Sequence, residues 1–193
     1  MPSPGLTELE AVNSMLGFIG EAPIASLDGE LITDAALARN ILREASRQVQ
    51  EVGWHFNTDV RFRLSPDING FIQIPNDALR IDCPWVDIVV RGSRIYNRET
   101  NSYTFTTYLD CEIIRYLEWD DLPPAVRRYI TAMATTMFAT RALGSAEITN
   151  QARAEEAKAR ALMLSQEFET SDASMLDNWD VAKSLSRSTA VTI

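Results

Sequence analysis

Histidine is almost missing from this 193-residue chain: His55 stands alone, which excludes a multi-histidine metal site and a pair of histidine bases. Cysteine is nearly as scarce. Cys83 and Cys111 lack C-x-x-C spacing and fall in an apparent strand region, so buried free thiols are the expected state. Among the 18 basic residues only Lys158 and Lys183 are lysine. The arginine surplus suits planar, bidentate ion pairs at interfaces, and a compositional bias of the source genome explains it equally well. No apolar run of 18 residues and no signal peptide occur, so membrane insertion is not expected and synthesis in a cytoplasm is. Also missing are G-x-x-x-x-G-K-S/T, G-x-G-x-x-G after a strand, H-E-x-x-H and G-x-S-x-G. A Ser-His-Asp set converges only in a fold, but no residue stands out as a nucleophile. Positive charge is short as well: 27 acidic side chains against 18 basic ones leave a net charge of -9, which disfavours indiscriminate gripping of phosphates.

What is present is an ordinary globular composition, 46% hydrophobic and 23% charged, enough for one domain or two small ones with a real core. Near the N-terminus Thr7 and Glu10 stand in the capping-box relation, and Leu9, Val12, Leu16 and Ile19 recur at steps of three and four. Gly20 can take the left-handed position that ends a helix, and Pro23 bars continuation. The helix spans about three turns, too short to persist alone, so tertiary or intersubunit contacts must hold it. A second helix is expected from an Asp34 cap to about Val52, with Leu37, Ile41, Ala45 and Val49 on one stripe. Arg39, Arg43 and Arg47 form another stripe, either a solvated face or a match for an acidic neighbour.

From Thr58 the period changes to two. Val60, Phe62 and Leu64 alternate with Asp59, Arg61 and Arg63, and Ile72 and Ile74 flank Gln73. Further strands are expected at Leu79–Asp82, Val86–Arg91, Arg94–Asn97, Tyr103–Tyr108 and Cys111–Leu117, separated by turn signals such as Ser65-Pro66-Asp67 and Arg91-Gly92-Ser93. Leu122-Pro123-Pro124 after two aspartates opens a third helix, and Ala-rich sequence from Glu147 to Glu169 makes a fourth. Periodicity fades from Ser171, yet Met175, Leu176, Trp179, Val181 and Leu185 persist, so this end is either a frayed terminus or an arm that docks on another subunit. The expected class is α+β: a four-helix bundle built from both chain ends (residues 1–57 and 119–171), an inserted antiparallel β-sheet or sandwich of five to seven strands (58–118), and an extended C-terminal arm (172–193).

Several of these residues together resemble the tail tubular protein A family, head-to-tail adaptors of short-tailed double-stranded DNA bacteriophages. They are Ala11-Val12-Asn13, then Ile19-Gly20-Glu21 with Pro23, then Ser26-Leu27-Asp28-Gly29. Asp34, Ala35, Ala36, Ala38 and Arg39 follow, and Gly53, Trp54, Phe56 and Asn57 match the G-W-x-F-N end of the second helix. Looser matches are Asp121 to Pro123 and Met175-Leu176-Asp177. The resemblance is dense before residue 60 and sparse from 60 to 118. It implies a homo-oligomeric ring, a dodecamer in this family, fixed between the portal protein and tail tubular protein B, the nozzle, with tail fibres as a further contact. Genomic DNA would transit the channel without sequence-specific binding. It also implies residence in the virion tail after assembly in the host bacterial cytoplasm. No catalytic, cofactor-binding or metal residue is assigned, and no membrane partner.

Two rival readings come from other classes. An envelope-saccharide hydrolase could use paired carboxylates, and Glu118, Asp120 and Asp121 beside Trp119 are the most suggestive cluster, although helix capping accounts for two of them. A DNA-associated packaging factor could stack bases on the interleaved aromatic and basic residues of Trp54–Arg63 and Arg94–Tyr108, a pattern that core-facing strands also produce. His55, between Trp54 and Phe56, is expected to be a partly buried structural histidine.

Overall fold

The computed structural model describes residues 5–29, 31–142 and 144–176; among them are four α-helices and five strands in two small antiparallel sheets, a mixed α+β architecture. The first helix, α1 (Glu8–Phe18), starts on the expected capping box: the Thr7 hydroxyl accepts the Glu10 N–H, and the Glu10 carboxylate accepts the Thr7 N–H at 2.8 Å. It ends on Gly20, whose φ of 87° lets Gly20 and Glu21 donate back to the carbonyls of Gly17 and Leu16. Ala11, Val12, Met15 and Leu16 are fully buried, and the partners are α2 (Thr33–Gln50) and α3 (Pro124–Ala142) of the same chain. Tertiary contacts within the chain therefore bury the apolar face of this short helix.

The α2 start departs from expectation. Ile32 is the extended residue before the helix, its side chain makes no cap bond, and Asp34 lies one residue inside, where a carboxylate favours the positive end of the helix dipole. Ile41, Ala45 and Val49 are buried as the stripe requires, whereas Leu37 stays at the rim. Along α3, Ile130, Ala134 and Phe138 complete the apolar layer, and Thr131 and Thr135 satisfy their buried hydroxyls on carbonyls one turn back at 2.8 Å each.

The β region follows α2 through a 3-10 turn at His55–Asn57. The three-stranded sheet has the order β1 (Thr58–Leu64), β5 (Leu109–Arg115), β2 (Ala78–Asp82); β3 (Ile88–Arg91) and β4 (Arg94–Asn97) form a separate hairpin. Its core is Leu64, Ile72, Ile95, Leu109, Ile113 and the two cysteines. Two expected strands do not form. Residues 72–74 and 103–108 meet neighbours only through isolated bridges, at Gln73 with Arg94 and at Phe71 with Thr104, too few successive pairs to make a strand. The simple alternation in β1 is broken by a bulge between Asp59 and Phe62, where Arg61 takes a φ of 59° and the extra residue turns Val60 outward.

The free-thiol expectation is overturned: Cys83 and Cys111 form a disulfide. Spacing along the chain could not show this, because the pair is made by register. Asp82 lies opposite Glu112, so the next position places Cys83 against Cys111, with Cα atoms 4.2 Å apart. The fourth helix, α4, runs from Ala146 to Leu176, well past the expected end at Glu169, so the first residues of the expected arm continue the helix. The remainder of that arm, 177–193, lies outside the described residues.

Candidate assembly surfaces

The longest element carries an exposed face with large apolar side chains. At 31 residues α4 is about 46 Å long, against about 28 Å for the 19-residue α3 beside it. From residue 146 to 170 only Thr149, Ala152 and Met163 are buried. Leu162 and Phe168 are 62% and 64% exposed, and a groove of about 470 Å³ beside α3 is lined by Thr136, Arg153, Ala157, Arg160, Ala161 and Leu164. Alanines on such a face allow another helix to approach closely.

A second surface sits over the disulfide. Trp85, in the loop that leaves β2, is 87% exposed, and Val60 on the β1 bulge is 72% exposed. Together with Pro84 and Cys111 they line a groove of about 570 Å³ whose charged members are Asp82, Asp110, Glu112 and Arg61. Asp110 is paired with Arg63 at 3.0 Å, while Asp82 and Glu112 enter no ion pair among the described residues.

The residues singled out for chemistry are dispersed to structural work. Glu118, Asp120 and Asp121 are all exposed around a 3-10 turn that ends before α3. Paired-carboxylate hydrolysis needs one carboxyl kept protonated by a sheltered environment, and this cluster has none. His55 is exposed rather than partly buried; its backbone N–H donates to the Glu167 carboxylate on α4. The arginine stripe neither faces bulk solvent alone nor waits for a neighbour: Arg39 binds Glu8 at 3.1 Å and the Leu27 carbonyl, Arg43 reaches Glu8 at 3.6 Å, and Arg47 lies over Tyr116. Interleaved aromatics and arginines likewise pair within the chain, with Arg63 over Tyr108 at 3.9 Å and Arg94 over Phe71 at 4.5 Å. Among the described residues no group of three or more His, Cys, Asp or Glu side chains could hold a metal ion, and no helix is long and apolar enough to cross a membrane.

Ordered helices, satisfied polar groups and wide exposed faces are the properties of a part in an assembly. A family model described as tail tubular protein matches residues 9–173, from α1 into the last turns of α4. The chain belongs to the tail tubular protein family. Tail tubular proteins are structural components of phage tails, so this chain is a virion tail protein that works within an oligomeric assembly with other tail proteins. No curated protein matches the chain. The residues that carry the family resemblance turn out to shape the elbow after α1. Asn13 clamps Ile24 through two hydrogen bonds of 3.0 and 2.8 Å, Ser26 and Asp28 close a turn on each other, and Arg39 holds the Leu27 carbonyl.

Proposed function

We propose that the chain is one subunit of the adaptor ring that joins the portal to the tail nozzle and lines part of the DNA ejection path. The observation that carries this reading is α4, which outruns its intrachain partner and leaves Leu162, Phe168, Ala154, Ala157 and Ala161 uncovered. In a ring the same face is covered once per subunit, and closed cyclic symmetry repeats one contact without leaving an open end. The helices of both chain ends act together as a four-helix bundle forming the ring wall, and the β region from 58 to 118 is an inserted unit turned toward nozzle or fibre. The segment from 172 to 193 serves as the arm that clasps the portal, with a dodecamer as the expected count.

Negative-stain imaging and mass photometry of the purified chain, alone and mixed with its portal, test this reading. Rings, or rings formed only with the portal, are expected; a chain that stays monomeric under both conditions overturns the proposal. The arm has a narrower test. Truncation after Ser171 is expected to weaken portal binding at least tenfold in a pull-down titration, and an unchanged affinity removes the arm from the mechanism.

A further inference from the structure

The β region contains two like-charge pairs of opposite sign. Asp82 on β2 lies directly opposite Glu112 on β5, and Arg91 on β3 lies directly opposite Arg94 on β4. Like charges facing each other across a ladder destabilise it, so each pair is a local cost unless a counter-ion arrives. Neither pair has one among the described residues: none of the four side chains enters an ion pair there, and the two arginines rest on the rings of Tyr96 and Phe71.

The geometry points to one resolution: we propose that the Arg91–Arg94 tip of one subunit seats in the Trp85 groove of the next, each guanidinium meeting one carboxylate of the Asp82–Glu112 pair. Directly opposed residues on neighbouring strands have Cα atoms about 5 Å apart in both sheets, so the two pairs spring from backbone positions of matching spacing. Arg153 and Arg160, the exposed arginines of α4, are about 10 Å apart along the helix and do not match it. Trp85 offers its indole face to a guanidinium stem, and Val60 and Pro84 give the tip an apolar floor. Five residues, Val86 to Val90, lie between Trp85 and Arg91, and neither Arg91 nor Arg94 of the same chain lines the groove. Two different surfaces on one chain make a head-to-tail contact, the kind that closes into a ring. Arg63, paired with Asp110 at 3.0 Å, already occupies one of the three lining carboxylates, which leaves Asp82 and Glu112 for the two charges of the tip.

This contact rests on the ring reading, and charge reversal separates the two. Asp82→Arg with Glu112→Arg, and separately Arg91→Glu with Arg94→Glu, are expected to lower the ring fraction at fixed concentration at least tenfold while circular dichroism stays that of the parent. The quadruple variant regains the parental ring fraction, and so does an equal mixture of the two double variants, whose subunits can alternate. Doubles that assemble like the parent overturn the contact and leave the ring intact. Failure of both the quadruple variant and the mixture to recover, with folding unchanged, also overturns it. A parent chain that never forms rings, with or without portal, sinks both proposals together.

Discussion

Gln50 and Asn57 do more than any other polar side chains to fix how the helices meet the sheet. Gln50 is fully buried, accepts the Leu117 N–H at 2.7 Å and donates to the Leu117 carbonyl and Ser46. Asn57 donates to the carbonyls of Gln50 and Arg115 and accepts the Trp54 N–H at 2.9 Å. These amides take the place of a ladder where helix becomes strand, so removing one strands several backbone groups at once. Asn57→Ala is expected to lower unfolding free energy by about 2–4 kcal/mol in urea titrations, since each buried group left unpaired costs about 1–3 kcal/mol. A loss below half a kcal/mol would show that water replaces the amide freely. Beside it, Gly53 combines a φ of 82° with a position where an added Cβ would collide with the Ile114 side chain. Gly53→Ala should therefore cost more than about 1 kcal/mol, from backbone strain and displacement of a buried isoleucine together.

At the scale of elements, α1 shows what its sequence could and could not announce. The capping box, the Gly20 stop and two members of the apolar stripe, Val12 and Leu16, were legible as local devices, whereas Leu9 stays outside the helical core and the buried Ala11 and Met15 were not expected. The Glu8 links to Arg39 and Arg43 were not legible, since they join residues 31 and 35 positions apart. The same division runs through the chain. Helical periodicity showed four helices, but polar Ser171, Asp172 and Ser174 concealed the last turn of α4. Strand periodicity showed the β region, but the bulge that exposes Val60 and the register that joins Cys83 to Cys111 are products of pairing. The Trp85 groove inherits both, so it was invisible; only the hairpin tip proposed to fill it left a sequence signal, Arg91 and Arg94 bracketing a Gly-Ser turn. Two measurements test the α1 account. Leu16→Asp places an unpaired charge at a fully buried site and should unfold the helical layer in the monomer, detected as loss of helical dichroism before any assembly step. The Glu10 carboxyl is held below its ordinary value of 4.5 by the backbone and hydroxyl donors of Thr7. Its contribution is thus full above that value and fades as pH falls through the lowered one. The Tm gap between the parent and Glu10→Gln should be widest near neutral pH and close on acidification; a gap independent of pH would contradict the capping box in solution.

For the whole molecule, the decisive feature is that two apolar cores share one chain. The helical core gathers Leu16, Ile41, Leu42, Ile130 and Phe138, and the β core gathers Leu64, Ile72, Ile95 and Ile113 around the disulfide. Between them stands the polar junction of Gln50, Asn57 and Arg115, whose guanidinium is tied to Asp59 and Asp77 at 2.5 and 2.6 Å. A perturbation confined to one core should therefore spend most of its effect there. The disulfide spans 28 residues, and closing a loop of that size restricts the unfolded chain by about 3.5 kcal/mol. Replacing both cysteines by serine, or reducing the bond, should remove about that much stability from the β region and leave the helices nearly untouched. Hydrogen exchange resolves the two: protection should fall across β1, β2 and β5, while α1, α2 and α3 exchange as in the parent. Equal loss of protection in both cores would mean that the junction couples them into one cooperative unit. The bond's redox state is consequential, because a subunit held in a reducing compartment would have its groove loop unpinned. Oxidation after release would then fix Trp85 and the β2 end in place, so double-serine particles are expected to assemble normally yet lose integrity at a lower temperature than the parent under oxidising conditions.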